Sequence, residues 1–308
     1  NKLTKTNSMA ASTTVKQKEL FGHPVGLYVL FFTEMWERFS YYGMRAILVL
    51  YLVQATTESN AGLGWSNGEA LALYGWYTML VYVASIPGGW IADKFLGQKK
   101  SVLYGGILLV AGHSILAVEE MWAFYTGLGL IIAGVGLLKP NISTMVGGLY
   151  KQGDIRRDKG FTIFYIGINI GALLATTLVA YVGETYGFDK GFGLAGIGML
   201  LGIFIFWSGR KKYALAPGVE IQEEGKKKVF AGLTMVHLIT IGSFFLIPLC
   251  YILILQNQVL DYILLGLFVY VSYSLVTAGA KEDKDENVGI WKDRMIALII
   301  FMLINITF

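Results

Sequence analysis

Four charged side chains fall inside one apolar stretch, and their spacing gathers most of them on a single helical face. From Val25 to Val53 the chain is apolar and long enough to cross a bilayer as a helix, yet it holds Glu34, Glu37, Arg38 and Arg45. Each ionised group at the centre of a membrane helix costs about 2.5–3.5 kcal/mol on insertion scales, so four do not gather without a use. Glu34, Arg38, Tyr41 or Tyr42, and Arg45 recur at i, i+4, i+7 or i+8, and i+11, with Glu37 beside them. A carboxylate facing cations takes up and releases a proton, and guanidiniums attract an anion. Such a face needs water or a polar ligand beside it rather than lipid. The plainer alternative is that the charges only pair with one another and lock helices together.

A second polar group interrupts the fourth apolar run, in Gly136-Leu137-Leu138-Lys139-Pro140-Asn141. Lys139 lies about ten residues from the nearer loop, roughly 15 Å along a helix, too far for its stem to reach the interface. It must face a cavity or a carboxylate. Pro140 frees a backbone carbonyl one turn back, adding a polar group to the same place. In the fifth run, Asn169 needs hydrogen-bond partners, while Gly167 and Gly171 form a small-xxx-small pair that admits a neighbouring helix. Tyr82 taken alone reads as packing. His113 reads as a satisfied helix–helix contact, and Trp65, Trp122 and Trp291 need only the interfacial aromatic belt.

The first-run segment Glu34-Met35-Trp36-Glu37-Arg38-Phe39-Ser40-Tyr41-Tyr42-Gly43 resembles the ExxERFxYYG motif of the proton-dependent oligopeptide transporter family, within the major facilitator superfamily. Gly136 to Asn141 is similar to the family's GxxKPN context, and Phe164 to Gly171 to its FYxxINxG signature. Gly89, Asp93 and Gly97, followed by Lys99 and Lys100, resemble the superfamily loop motif GxxxDxxxG, whose cytoplasmic charge pairs break on opening. The resemblance implies proton coupling through Glu34, Glu37, Arg38 and Lys139, with Lys139 pairing the first-run carboxylates. It implies peptide contacts from Arg38, Arg45, Tyr41, Tyr42, Tyr82, Lys139 and Asn169. It implies no cofactor beyond the coupling proton. The family's acidic contact for the peptide amino end belongs to a seventh core helix, whose beginning is the run at 295–308.

The elements that must position these residues are membrane helices. The chain of 308 residues is 55% hydrophobic and only 15% charged, against about 25% in soluble domains. Mean hydropathy is +0.57. The pattern predicts a basic tail over 1–23 and spans at about 24–53, 68–93, 101–118, 122–149, 161–183 and up to 209. A polar linker (210–228), an uncharged hairpin (229–280) with its turn at Gln256 to Asp261, and a charged loop leading into a further run (281–308) complete it. The expected fold is an all-α polytopic membrane protein: the N-terminal six-helix half of a major facilitator, a two-helix hairpin and the start of the next core helix. Lys and Arg collect in the tail and every second loop, which puts the N-terminus in the cytoplasm.

The chain opens at Asn1 with no cleavable signal pattern, so its initiator end is expected upstream and the second half beyond Phe308. The formal charge of +4 has a topological explanation and implies no nucleic-acid partner. Cys250 alone excludes an internal disulfide. The sequence therefore reads as a symporter of di- and tripeptides in a bacterial inner membrane, monomeric and surrounded by lipid. A carrier of nitrate or another small anion is the nearest alternative, and the paired glutamates argue against it. An intramembrane enzyme or sensor would need a nucleophile, metal ligands or an output domain, and no such pattern occurs.

Overall fold

The computed structural model describes residues 18–151, 153–210, 220–230, 232–234, 236–239, 241–242, 257–286 and 289–306. Most of the basic tail, much of the linker and most of the hairpin's first limb lie outside the described residues. Two units are present, 1–251 and 252–308.

In the first unit the chain enters through a short antiparallel ladder, β1 (Glu19–Leu20) with β2 (His23–Pro24), and passes directly into α1 (Val25–Val53). Then follow α2 (Asn67–Ile91), α3 (Gln98–Leu116), α4 (Met121–Gly148), α5 (Arg156–Leu174), α6 (Ala180–Tyr186) and α7 (Phe188–Ser208). A π-helical turn (Ala175–Val179) joins α5 to α6, so the two make one span. Among the described residues, four segments are long and apolar enough to cross a membrane by length and composition: 67–96, 121–148, 156–186 and 188–208. The 29-residue α1 is also long enough, but its apolar character is broken by its charges.

Local chemistry sets the boundaries. Ser66 caps α2 in a reciprocal box, its Oγ accepting from the Glu69 amide at 3.3 Å while its own amide donates to Glu69 Oε2 at 3.0 Å. Past Ile91 the helix widens into a π turn (Ala92–Leu96), closed by the Gly97 amide donating to the Ala92 carbonyl at 2.8 Å. Gly97 has φ 72°, a conformation that glycine adopts without penalty.

In the bundle α4 packs on α2 and α3, while α1 packs on α5 and α7. Glycines let these helices meet backbone to backbone. Pro140 has no amide to offer the Gly136 carbonyl, and that oxygen lies against Gly88 of α2, where any Cβ would overlap it. Asn141 strengthens the crossing, donating to Leu137 O at 2.7 Å and towards Gly88 O at 3.5 Å. On the other side Gly167 lies against Phe31, and Gly171 against the Met35 carbonyl and Arg38 Cβ. The small-xxx-small reading of α5 is thus a close approach to α1.

The segment after Glu220 is not a free linker. The Gln222 amide donates to Phe95 O at 3.2 Å, Lys99 pairs with Glu220 at 2.8 Å, and Lys94 reaches Glu224 at 3.9 Å. After α8 (Glu223–Lys226) and a ladder of β3 (Lys228–Phe230) with β4 (Leu233–Thr234), Val236 is buried with Leu96, Leu108, Leu130, Ala133 and Leu137. The two small ladders are the departures from an all-helical chain among the described residues. In the second unit α9 (Asn257–Glu286) packs on α10 (Trp291–Ile306). Asp283 closes the junction, accepting the Trp291 amide at 2.7 Å and that of Lys292 at 3.0 Å. Helix α9 begins inside the expected turn and runs past the expected end at 280. Of that turn, Gln256 lies outside the described residues.

Candidate functional site

The glycine faces of α5 and α7 enclose the middle of α1, so Glu34, Glu37 and Arg38 are 1%, 0% and 3% exposed. Arg38 Nε donates to Glu34 Oε1 at 2.7 Å, the i,i+4 contact that the spacing implies. The same nitrogen is 2.9 Å from Glu37 Oε2. It carries one hydrogen, directed at Glu34, so Glu37 is attracted by the cation without receiving a hydrogen bond. Both Glu37 oxygens and Glu34 Oε2 are buried with no hydrogen-bond partner among the described residues. Two carboxylates thus share one guanidinium in a dry setting. With both ionised the triad carries one net negative charge, and a single added proton makes it neutral.

One or two turns further along α1 the site opens. The Arg45 guanidinium lies over the rings of Tyr41 (5.4 Å), Tyr42 (6.0 Å) and Tyr74 (5.0 Å), and donates to the Tyr74 hydroxyl through Nε at 3.0 Å and through Nη2. Arg38 lies 5.7 Å from the centre of the Tyr42 ring. Arg45 and Tyr42 are half-buried, whereas Tyr41 is buried and its hydroxyl lacks a partner among the described residues.

Lys139 stands apart from the expected pairing. Its ammonium rests 4.2 Å from the centre of the Tyr82 ring, and no carboxylate lies within ion-pair distance of it among the described residues. Arg38 has the carboxylates because it shares their helix, whereas Lys139 comes from α4 across the Gly88–Gly136 contact and meets α2 first. Tyr82 is half-exposed and acts as a seat for the ammonium rather than as core packing. Asn169 is exposed on α5, donating to its own Tyr165 carbonyl at 2.9 Å, so it does not bridge helices.

Two further sequence expectations are corrected. Asp93 is exposed and makes no ion pair among the described residues, because the following segment supplies Glu220 and Glu224 to the loop lysines. Gly89 does face the α4 crossing, in ordinary contact with Pro140. His113 is a helix contact opposite Gly196 of α7, but not a satisfied one: it is fully buried and neither ring nitrogen has a described partner. Sequence reasoning missed Tyr74 and Tyr77. The signal was available, since Tyr74-Gly75-Trp76-Tyr77 sets two phenols at i and i+3 inside an apolar span.

This arrangement defines a class: a multi-pass helical membrane protein whose first six spans form half of a major-facilitator fold around a charged centre. The family described as PTR2, POT family, matches residues 99–242. An uncharacterised transporter of Bacillus subtilis, YclF, is 44% identical over 93% of this chain and 57% of its own length. A di-/tripeptide transporter of Lactococcus lactis subsp. cremoris is 46% identical over 75% of this chain and 48% of its own. Among solved structures, a peptide transporter POT variant in complex with alafosfalin superposes with a TM-score of 0.74 at 40% identity, over 93% of this chain and 57% of that one. A POT family transporter in complex with 5-aminolevulinic acid gives 0.70 at 36% identity, over 85% of this chain and 54% of that one. The chain belongs to the proton-dependent oligopeptide transporter (POT) family. It spans about half the length of the curated relatives it matches.

Proposed function

We propose that this chain supplies the N-terminal half of a carrier that moves di- and tripeptides together with protons by alternating access. The observation that carries the reading is the buried triad, in which Arg38 lies against Glu34 and Glu37 but gives its Nε hydrogen to only one. Protonating Glu37 would neutralise the centre and leave Arg38 paired with Glu34 alone, so occupancy by a proton and by a substrate become linked equilibria over two conformations. The half-buried cations Arg45 and Lys139 would attract the peptide carboxylate, with Tyr42 and Tyr82 beside them and Asn169 exposed on α5. Relatives named as di-/tripeptide transporters support the substrate class. A nitrate carrier would have no use for two glutamates on one arginine.

The carrier would be a monomer in the bacterial cytoplasmic membrane, its N-terminus and the 150–160 loop inside the cell and the 54–67 loop outside. The test is Glu37→Gln reconstituted in liposomes. Uptake of labelled dipeptide driven by a pH gradient should be abolished, while exchange of labelled for unlabelled dipeptide continues, because exchange needs no net proton movement. Full gradient-driven uptake by folded Glu37→Gln and Glu34→Gln proteins would remove these carboxylates from the coupling.

A further inference from the structure

Outward from the triad, α1 and α2 carry buried hydroxyls, of which Tyr41 alone is among the peptide contacts that the resemblance implies. The two helices run antiparallel and touch. Their outer contact is the Arg45–Tyr74 hydrogen bond at 3.0 Å. One turn inward along both helices, Tyr41 comes level with Tyr77 and Thr78. Another turn inward reaches Glu37 on α1, level with Val81 and Tyr82 on α2. The ladder from Arg45 to Glu37 covers eight residues, about 12 Å at 1.5 Å per residue. The Tyr77 phenol is within electrostatic reach of Tyr41, Arg45, Glu37 and Tyr74, and the Tyr41 phenol of Arg45, Glu37, Tyr82 and Arg38.

The inner rungs are dry and the outer one is not. Tyr77 and Tyr41 are 0% and 1% exposed, whereas Arg45 and Tyr74 are half-buried. Tyr41 OH, Tyr77 OH and Thr78 Oγ1 are buried with no described protein partner, as are both Glu37 oxygens. Buried polar atoms are ordinarily hydrogen-bonded, and an unpartnered one needs a reason. Phenylalanine would fill either tyrosine site with the same shape and no polar cost. Here the partnerless hydroxyls follow one another towards the one carboxylate in the triad that lacks a donor.

We propose that Tyr41 and Tyr77 form the buried limb of a proton route between α1 and α2, joining the Arg45–Tyr74 rung to the Glu37 carboxylate. Each phenol oxygen accepts a proton from its outer neighbour as its own proton passes inward, directly or through a water bound to two or more of these groups. One proton leaves the cavity water, one arrives on Glu37, and each phenol regains its hydrogen. The other titratable or charged groups facing the route are Glu34 and Arg38 on α1, Tyr82 on α2 and Lys139 on α4. The proposal rests on Glu37 as the proton acceptor.

The experiment compares Tyr77→Phe, Tyr41→Phe and Glu37→Gln in liposomes by gradient-driven uptake of a labelled dipeptide and by exchange. With the Tyr77 hydroxyl removed, gradient-driven uptake should fall about tenfold or more, in keeping with the loss of a positioned proton donor, while exchange stays at the wild-type rate; Tyr41→Phe should lose gradient-driven uptake to at least the same extent. Wild-type uptake by Tyr77→Phe at every external pH would overturn the route, as would an equal loss of uptake and exchange, which marks a packing contact. Retained uptake by Glu37→Gln would instead overturn the function on which the route rests. Should neither phenylalanine variant fold, the wild-type protein decides. Uptake slowed in D2O with exchange unaffected supports the route, and equal rates in D2O and H2O overturn it.

Discussion

Two arginines in this molecule each hold two carboxylates, and they do so in opposite ways. Arg156, at the start of α5, puts all three of its guanidinium nitrogens to use. Nε and Nη2 reach the two Asp154 oxygens at 3.1 and 2.9 Å, and Nη1 reaches Glu19 at 2.9 Å and the Gly22 carbonyl at 3.1 Å. Its side chain is 42% exposed. Arg38 is buried, and its Nε–H goes to Glu34 alone while Glu37 has no donor among the described residues. The exposed cluster is geometrically complete and of small energetic consequence, since water screens it and would replace it. The buried cluster is incomplete and of large consequence, since nothing replaces a lost partner there. Completeness therefore marks the structural clamp, and incompleteness marks the working site.

The sharpest way to break this comparison is to remove each arginine. Arg38→Ala should cost about 3–5 kcal/mol, because two carboxylates are left unpaired in the bundle. Thermal unfolding in detergent reads it, and restoring neutrality with Glu34→Gln and Glu37→Gln in the same protein should recover much of the loss. A midpoint unchanged by Arg38→Ala would show that water reaches the triad.

A smaller effect is expected from Gly171→Ala, whose Cβ would overlap the Met35 carbonyl and press on Arg38 Cβ. Overpacking of this kind costs about 1–3 kcal/mol. It should also raise the accessibility of the triad, read as faster modification of Glu37 by a water-soluble carbodiimide. Stability and modification both at wild-type levels would mean that α5 has room to move.

The smallest effect belongs to Arg156→Ala, which should move the unfolding midpoint far less than Arg38→Ala and not at all in high salt. The Arg156 hydrogen bonds hold the Asp154 carboxyl below its ordinary range. That contribution is complete above the unfolded aspartate pKa of about 3.9 and disappears only as the pH falls through the lower folded value. Wild type and Arg156→Ala should therefore differ slightly at neutral pH and converge in strong acid. A difference that persists in acid would place the clamp's contribution elsewhere.

The spans and the α1 face were legible because period and composition act locally: a membrane helix shows its length, and charges at i and i+4 show their shared side. The Arg38–Glu34 contact follows from that alone. The seat of Lys139 on Tyr82 was not legible, because it depends on where α2 crosses α4, and that crossing is fixed by a carbonyl meeting a glycine. Tyr77 gave a local signal, but one phenol in an apolar run looks the same whether or not its hydroxyl is paired. The docking of Val236 against Leu96 and Leu130 joins residues far apart in the chain, and no pattern within a window carries it.

The meeting of Gly136 with Gly88 has a mechanical consequence. Two helices in backbone contact, with no side chain between them, have no interdigitated knobs to resist turning about the point of touch. Sliding is another matter, since shifting α2 along α4 would drive Ala84 or Pro140 into the gap. The crossing is therefore a fulcrum, free to tilt and held against translation. Lys139 is three residues beyond Gly136, and its lever arm is short. A tilt of α4 about that point would swing the outer end of the helix widely while leaving the ammonium almost where it was.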